Sequence, residues 1–588
     1  MTTTTVLADF LSRTSQFLAL ERDAEEQQQR WLLDRKTTAE LCSAGVCLNK
    51  LHLTEQRSSF GGRTVLTFAR RLNNPSPLPN HKLSPGDLVS VSESGSVSES
   101  LCRGVVCSVE ESSICVACDR SADLSLLDAA NRTFALLLAV NDVTFRRLKK
   151  TVQRLENFGQ ESGEQLVERL FAQKAFAYCC DDEVIDELAF ADDNLNQVQR
   201  ETVSFCLNPT RLTSIIHGPP GTGKTRTVVE VVVQSVRRGQ KVLVCAPSNV
   251  AVDNVVWRLV NSNLRVVRLG HPARSHASLH RFTLDAWLTR NHQTELILDI
   301  RKELATKQLR REQRQHLRRE LWKREKTALK EVLSGADVIC ATLTTCDPSD
   351  GPLKALDRAF DLVVIDECAQ ALEVACWTAL LQAPRCVLAG DHCQLPPTVI
   401  SQQAANAGFS RTLMERLEQE FPEQQTLLFR LLTIQYRMHC KIMEWSSVQF
   451  YSSRLTADHT VKEHTLSQIA SDEPTDHELL SPLVLIDTDG CDMTELETAD
   501  DESKANIGEV KLVYLHVKTL IESGIEAEQI AIISPYNLQV QLLRLHVGSL
   551  YPKIGVRSVD GFQGQEREAV VFSLVRSNRT RSFIRDLR

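Results

Sequence analysis

The sequence predicts a mixed α/β protein built around a parallel sheet with helices on both faces. Short, almost continuous apolar runs recur between residues 212 and 389 and alternate with helical segments, which is the pattern of strands buried on both faces. Ahead of them, between residues 33 and 125, closely spaced short strands are broken by Gly, Pro and Ser, which is typical of a small β-barrel. A chain of 588 residues has room for several such domains.

Changes in pattern divide the chain into successive predicted segments. We call the two predicted sheet-containing parts of the chain lobe 1 and lobe 2. In chain order the segments are an N-terminal helix over 1–32, a β-barrel insert over 33–125, a helical stalk over 126–176, the first part of lobe 1 over 177–274, a basic helical insert over 275–333, the second part of lobe 1 over 334–409, and lobe 2 over 410–588.

The composition limits the classes of protein that this chain can belong to. Hydrophobic residues make up 42% and charged residues 24%, which is typical of a soluble globular protein. No apolar run approaches the roughly 20 residues of a membrane-spanning helix. The N-terminus has no charged segment followed by an apolar core, so we expect no secretory signal. The net charge of −7 means that any nucleic-acid binding must come from local patches.

The 18 cysteines are predicted to be free thiols in a reducing compartment. Cys115 and Cys118, with Cys102 and Cys107 upstream, can also be interpreted as half of a zinc site. This alternative is disfavoured because the segment is predicted to form two barrel strands and no second close pair completes four ligands.

A phosphate-binding loop gives the first functional prediction. The run Gly218-Pro219-Pro220-Gly221-Thr222-Gly223-Lys224-Thr225 fits the pattern G-x-x-x-x-G-K-[ST], with a strand before it and a helix after it. Glycines allow successive backbone N–H groups to surround a β-phosphate, Lys224 can bridge the β- and γ-phosphates, and the Thr225 hydroxyl can bind Mg²⁺. The sequence therefore predicts a site for a nucleoside triphosphate and Mg²⁺.

Further polar residues follow buried strands downstream of this loop. Asp366 and Glu367 end one strand, where Asp366 would hold Mg²⁺ through water and Glu367 would polarise the attacking water. A simple turn at the strand end is the alternative. Gln394 follows another strand and can sense the γ-phosphate or orient water. The second lobe has no P-loop of its own, so we expect one nucleotide between two similar lobes.

The insert over residues 275–333 is rich in Lys and Arg with interspersed Glu. A solvated, exposed helix face is the default interpretation of such a pattern. A stripe that faces a nucleic acid is the alternative.

Taken together, these blocks resemble the superfamily 1 helicases of the up-frameshift-like group from about residue 30 onward. The run from Arg268 to Arg274 and the strand after Gly62-Arg63 resemble most the immunoglobulin μ-binding protein 2 branch of that group. The resemblance implies an AAA-type ATPase core with two RecA-like lobes, the barrel and helical insert lying on the first. It also implies ATP-dependent 5′-to-3′ translocation on single-stranded DNA or RNA.

The resemblance also assigns roles to individual residues. Gln199 is similar to the glutamine that reads adenine, Tyr436 to the residue that stacks on the base, and Arg437 to the first of two arginines on the γ-phosphate. Lys224, Glu367, Gln394 and Arg437 are the implied catalytic residues. The segments that track a nucleic-acid backbone, largely without regard to sequence, are implied at Pro247, Ser248, Asn249, Thr342, Thr345, Gly561, Gln563 and Gly564.

One departure from the family leaves alternatives open. After Asn578 the family continues to a second phosphate-binding arginine and a last strand, and nothing in residues 579–588 fits that block. We therefore expect an incomplete second lobe, from a truncated product, an isoform or an imperfect gene model. The alternative functions are an ATP-gated nucleic-acid-binding scaffold with weak or no unwinding, and a metabolic P-loop ATPase.

The resemblance has further implications for partners and location. It implies single-stranded DNA or RNA as the main partner and a ribonucleoprotein or ribosome as a further one. It implies a monomer that is not bound to a membrane, in the cytoplasm and the nucleus.

Overall fold

The computed structural model describes most of the chain. The described residues are 3–35, 37–43, 45–58, 64–70, 78–79, 81, 83, 87–94, 96–110, 112–118, 132–139, 142–171, 189–306, 310–349, 351–470, 481–488, 490–496 and 503–576. The Gly62-Arg63 feature and the 579–588 tail that the sequence analysis singled out lie outside these residues.

The chain forms two units. The first comprises residues 1–217, 225–392 and 396–430, and the second comprises residues 218–224, 393–395 and 431–588. Residues 218–224 of the P-loop therefore belong to the second unit. Along the chain, however, they connect a strand and a helix of the first unit.

The first unit begins with a long helix and a barrel. Its elements are α1 (Thr3–Arg35), α2 (Thr38–Ser43), β1 (Cys47–Ser58), β2 (Thr64–Ala69), β3 (Leu88–Glu93), β4 (Ser96–Val109), β5 (Ser113–Cys118) and β6 (Phe134–Leu138). The strands close in the order β1-β2-β5-β4-β3-β6, and all neighbours are antiparallel. Phe68 and Phe134 meet in the barrel core, with ring centroids 5.8 Å apart.

The predicted helical stalk over 126–176 was wrong at its beginning. Phe134–Leu138 is the last barrel strand and pairs with both β1 and β3. A five-residue apolar run fits a helix face or a buried strand equally well, so periodicity alone does not separate the two. The helices of this segment are α3 (Asp142–Glu156) and α4 (Glu164–Phe171).

A seven-stranded sheet forms the centre of the first unit. Its strands are β7 (Thr213–His217), β8 (Val242–Ala246), β9 (Val266–Arg268), β10 (Val338–Thr342), β11 (Leu362–Ile365), β12 (Cys386–Gly390) and β13 (Phe429–Leu431). The order is β13-β7-β12-β11-β8-β10-β9, and the pairs from β7 to β9 are parallel. Strands β7 to β12 are buried throughout, as expected when helices cover both faces.

The helices of this part alternate with the strands. They are α5 (Gln197–Leu207), α6 (Lys224–Arg237), α7 (Asn249–Leu259), α8 (Leu284–Thr289), α9 (Thr294–Thr306), α10 (Arg311–Ser334), α11 (Glu373–Leu380), α12 (Gln402–Asn406), α13 (Leu413–Glu420) and α14 (Gln425–Leu428). Helices α8 to α10 form the insert between β9 and β10.

A buried ion network lies where α4, α11 and α13 pack together. Arg416 donates to both carboxylate oxygens of Glu373, at 3.0 Å each, and to the Leu170 carbonyl at 2.8 Å. Its guanidinium also lies 4.7 Å from the ring centroid of Phe171, which stacks on Trp377. A charged pair with almost no water contact must satisfy its hydrogen bonds internally.

The second unit contains a smaller parallel sheet. Its elements are β14 (Ile434–Gln435), α15 (Cys440–Phe450), β15 (Thr456–Ala457), α16 (Ile507–Glu522), β16 (Ile530–Ser534), α17 (Asn537–Leu543), β17 (Gly555–Ser558), α18 (Val559–Phe562) and β18 (Ala569–Phe572). Strand β16 pairs in parallel with β17 on one side and β18 on the other. The mixed α/β class that the sequence predicts is confirmed.

The described residues also bear on the expectations about membrane-spanning helices and free cysteines. No helix among them has the length and apolarity needed to cross a membrane. Their cysteines are free thiols, and most are buried.

Replacing Arg416 with Ala is expected to lower the free energy of unfolding by about 3–5 kcal/mol, because Glu373 would remain buried without its partner. Arg411→Ala is the matched control. Its ion pair with Glu420 spans 3.8 Å and its side chain is 39% exposed, so its loss should cost less than about 1 kcal/mol. Urea denaturation measures both, and equal losses would contradict the role of the buried network.

Candidate active site

Thr225 and Asp366 come together at the edge of the main sheet. Asp366 follows β11, and Thr225 lies in the first turn of α6. The Thr225 hydroxyl donates to Asp366 Oδ2 at 3.1 Å, and Asp366 is only 2% exposed. The structure thus joins two residues, 141 positions apart in sequence, for which the sequence analysis predicted a shared Mg²⁺.

Glu367 has an unusual backbone conformation. Its φ of 56° lies in the left-handed region, which costs a non-glycine residue roughly 1–2 kcal/mol. Its Oε2 accepts a hydrogen bond from Gln370 Nε2 at 2.8 Å, and its N–H donates to Asp366 Oδ1 at 2.9 Å. Such strain concentrates at functional sites, where surrounding structure maintains it.

The P-loop has the backbone that its glycines allow. Gly221 and Gly223 adopt φ values of +75° and +77°, which only glycine adopts without strain. Gly218 lies against the aliphatic part of Lys224, and a Cβ added there would meet Lys224 Cβ at 2.6 Å. Because Lys224 begins α6, the loop leads into a helix N-terminus, which favours phosphate.

Within the second unit, the P-loop contacts the segment Gln435–Arg437. The Tyr436 N–H donates to the Gly221 carbonyl at 2.9 Å. Gln435 Oε1 accepts from the Arg437 N–H at 2.8 Å. A Cβ on Gly221 would lie 2.5 Å from Arg437 Cβ, so the close approach of Arg437 needs a glycine at position 221.

Arg437 is also paired with an acid of the second unit. Its Nε donates to Glu566 Oε2 at 2.7 Å, with Arg437 36% and Glu566 68% exposed. Glu566 follows the predicted strand-binding segment 561–564 by two residues. The predicted phosphate arginine is therefore held beside the predicted nucleic-acid segment.

The sequence analysis missed a histidine pair at the same sheet edge. His217 Nε2 lies 3.0 Å from Asp391 Oδ1, and both residues are buried. The His392 ring lies 4.8 Å from the His217 ring, and His392 Nε2 lies 2.9 Å from Glu418 Oε2. The hydrogen bond from His392 lowers the pKa of Glu418. His217 comes directly before the P-loop, and Asp391 comes three residues before the partly buried Gln394. Their positions beside predicted site residues were the sequence signal that could have identified them.

Gln199 lies at the start of α5. Its side-chain oxygen accepts from the Asn196 N–H at 3.0 Å, and Asn196 Oδ1 accepts from the Gln199 N–H at 2.9 Å. This reciprocal capping box stabilises the first turn of the helix. Gln199 is 2% exposed, and its role with adenine stays a prediction.

The residues of the first unit that are predicted to bind a nucleic-acid strand lie at or after the ends of β-strands of the main sheet. Pro247 comes directly after β8, and Ser248 caps α7 by accepting from the Ala251 N–H. Asn249 Oδ1 accepts from buried Arg268, which also binds Asp253. Thr342, at the end of β10, lies 2.7 Å from Thr345 through their hydroxyl oxygens.

In the second unit, the Gly561–Gly564 segment continues from β17. Ser558 caps the short helix α18 by accepting from the Gly561 N–H at 3.3 Å. Gly564 has a φ of +76°, with no atom near the position of a Cβ. Gln563 follows α18, so the segment is a turn between helix and strand.

Comparisons with known proteins support this set of features. Two family models described as "AAA domain" match, one at residues 194–313 and 290–402 and one at residues 409–588. A model described as "Helicase SMUBP-2/HCS1, 1B domain" matches residues 11–138.

Curated relatives match along most of the chain. DNA-binding protein SMUBP-2 of Mus musculus is 44% identical over 97% of this chain and 58% of the mouse protein. DNA polymerase alpha-associated DNA helicase A of Schizosaccharomyces pombe is 33% identical over 97% of this chain and 88% of the yeast protein. Regulator of nonsense transcripts 1 of Caenorhabditis elegans is 32% identical over 76% of this chain and 41% of that protein. The chain thus spans little more than half the length of the mouse relative.

Gly221→Ala is expected to lower nucleotide affinity on the order of tenfold or more, because the new methyl group displaces either the loop or Arg437. Gly239→Ala is the matched control, since Gly239 has a φ of +77° and nothing within 4 Å of a Cβ. It carries the same backbone strain without the collision. Titration with a fluorescent ATP analogue measures both affinities, and equal affinities would show that the contact with Arg437 is unimportant.

Proposed function

Because the chain belongs to the SMUBP-2 branch of the superfamily 1 helicases, we propose that it hydrolyses ATP to move 5′ to 3′ along single-stranded DNA or RNA. The observation that carries this proposal is the arrangement around β11. There the Thr225 hydroxyl meets buried Asp366, and the strained residue Glu367 follows immediately. A P-loop alone serves many reactions, whereas this combination fits hydrolysis of a γ-phosphate.

Thr225 and Asp366 fit a bound Mg²⁺. Both offer oxygen atoms, which are the ligands that Mg²⁺ prefers. Asp366 is an acidic side chain almost without water contact, and it accepts hydrogen bonds from the Thr225 hydroxyl and the Glu367 N–H. When bound, Mg²⁺ would neutralise phosphate charge. The residues that would hold it are Thr225 directly and Asp366 through water.

The hydrolytic step needs a base and a positive environment. In our proposal the Glu367 carboxylate accepts the proton of water as the water oxygen bonds to the γ-phosphorus and the bond to the β-phosphate oxygen breaks. Lys224 and the N–H groups of the P-loop stabilise the charge on the phosphates. Gln370, by donating to Glu367 Oε2, fixes the carboxylate in one orientation.

Arg437 and Gln394 complete the proposed phosphate contacts. Arg437 must exchange Glu566 for phosphate before it can act, and the exposure of the pair keeps the cost of that exchange small. Gln394 would contact the γ-phosphate, while Gln199 and Tyr436 would hold the adenine. These four roles rest on position in the family pattern.

The strand would run along Pro247–Asn249, Thr342, Thr345 and Gly561–Gly564. Backbone amides, hydroxyls and glycines suit contacts with phosphates and sugars, which carry little sequence information. We also propose two RecA-like lobes, with the barrel and the insert on the first. A monomer in the cytoplasm and nucleus, with ribonucleoprotein partners, is proposed from the family.

The test of the function is the ATPase rate of the chain with and without single-stranded DNA and RNA, alongside ATP-dependent separation of a duplex with a 5′ overhang. We expect strands to stimulate hydrolysis and the duplex to separate. Strand binding without unwinding would favour the scaffold alternative. An ATPase rate that does not change when single strands are added would favour a metabolic ATPase. Lys224→Ala is the control for contaminating ATPases.

Glu367→Gln is expected to preserve ATP affinity and to lower turnover on the order of 10²-fold or more, because the amide cannot accept the proton. Single-turnover hydrolysis and equilibrium ATP binding, measured on the same preparation, separate the two effects. Retention of most of the hydrolysis rate would remove Glu367 from the role of base.

A further inference from the structure

One face of helix α10 combines exposed cations with an exposed tryptophan. Arg319, Trp322, Lys323 and Lys326 follow the spacing i, i+3, i+4, i+7, which places them on one side of a helix. All four are exposed, Trp322 by 59%. Lys326 Nζ lies 5.3 Å from the Trp322 ring centroid. We call these four residues the α10 stripe.

Neighbouring acids pair away from the α10 stripe. Glu320 and Glu325 flank the stripe on its two sides; Glu320 accepts from Arg324, and Glu325 pairs with Arg301. Glu331 accepts from Asn291. Within the described part of the chain, Arg319, Lys323 and Lys326 form no ion pair, although the charge of Lys323 acts on Glu320. Their side chains are therefore open to contact with a ligand.

We propose that the α10 stripe is an additional binding surface for single-stranded nucleic acid, with phosphates on its cations and an unpaired base on Trp322. This inference rests on the proposed function and extends the strand contacts beyond the family segments. An exposed aromatic side chain among cations is typical of surfaces that bind single strands without sequence preference, because the bases stack on the ring and the cations contact the phosphates.

Charge complementarity supports a strand rather than a purely solvated face. The whole chain carries a net charge of −7, so the three cations of the α10 stripe are not a consequence of a generally basic surface. Solvation alone accounts for the cations, whereas Trp322 adds a flat aromatic face beside them on which an unpaired base can stack. A duplex would use the cations but would offer no free base face to the ring.

The test measures binding of a fluorescein-labelled oligothymidylate to variants of the full chain over a range of salt concentrations. Trp322→Ala should weaken binding roughly tenfold through loss of stacking, and Trp322→Phe should restore most of it. The double variant Lys323→Gln/Lys326→Gln should lower the slope of log K against log salt by about 1.4, because each cation contributes about 0.7 on a single strand. Lys302→Gln/Arg314→Gln removes the same charge from exposed positions outside the stripe and should leave the slope nearly unchanged.

Each outcome separates the two proposals. If the unmodified chain binds strands and every stripe variant matches the control, the inference about α10 is wrong while the proposed function stands. If the unmodified chain binds no strand, the proposed function itself fails. If stripe variants bind strands normally but lose binding to polyglutamate, the surface serves an acidic protein segment, and the nucleic-acid assignment is overturned.

Discussion

The parallel pairing of β7, β12, β11, β8 and β10 is the constraint on which the candidate site depends. Parallel strands end at the same edge of a sheet, where ligands of such folds bind. The P-loop follows β7, Asp391 follows β12, Asp366 follows β11 and Ser248 follows β8. Residues far apart in sequence therefore reach one edge without any special loop. A change in strand order would disperse them, although every motif remained in the sequence.

Within each unit, close contacts position the residues of the candidate site. Glu367 is held in a left-handed conformation, and Gly221 leaves room for the Arg437 backbone. The His217–Asp391 contact joins the ends of β7 and β12. Below it, Arg416 links α4, α11 and α13 through a buried network. Reactive groups are positioned well when the elements behind them are well packed, and these contacts hold those elements together.

Prediction from the sequence succeeded where a short pattern of residue types follows directly from one physical requirement, such as burial. The apolar runs predicted between residues 212 and 389 correspond to the buried strands β7 to β12, which span residues 213–390, because buried parallel strands are continuous apolar runs. It failed at Phe134–Leu138, whose five apolar residues suit a helix or a strand, and only pairing with β1 and β3 decides. It also missed the capping box of Gln199, although Asn196 three residues earlier was a local signal for it. The partner of His217 could not be found in this way, since a hydrogen bond between distant side chains leaves no periodic signal.

The sequence by itself determined the α/β class, the phosphate loop, the family and the identity of the proposed catalytic residues, because these depend on residue type and local spacing. The tertiary structure decided which of those residues meet. It paired Thr225 with Asp366, Arg437 with Glu566 and His217 with Asp391. It also revealed that acids around α10 pair elsewhere and leave one face cationic. Such pairings depend on strand order and packing over long separations, and local sequence does not contain that information.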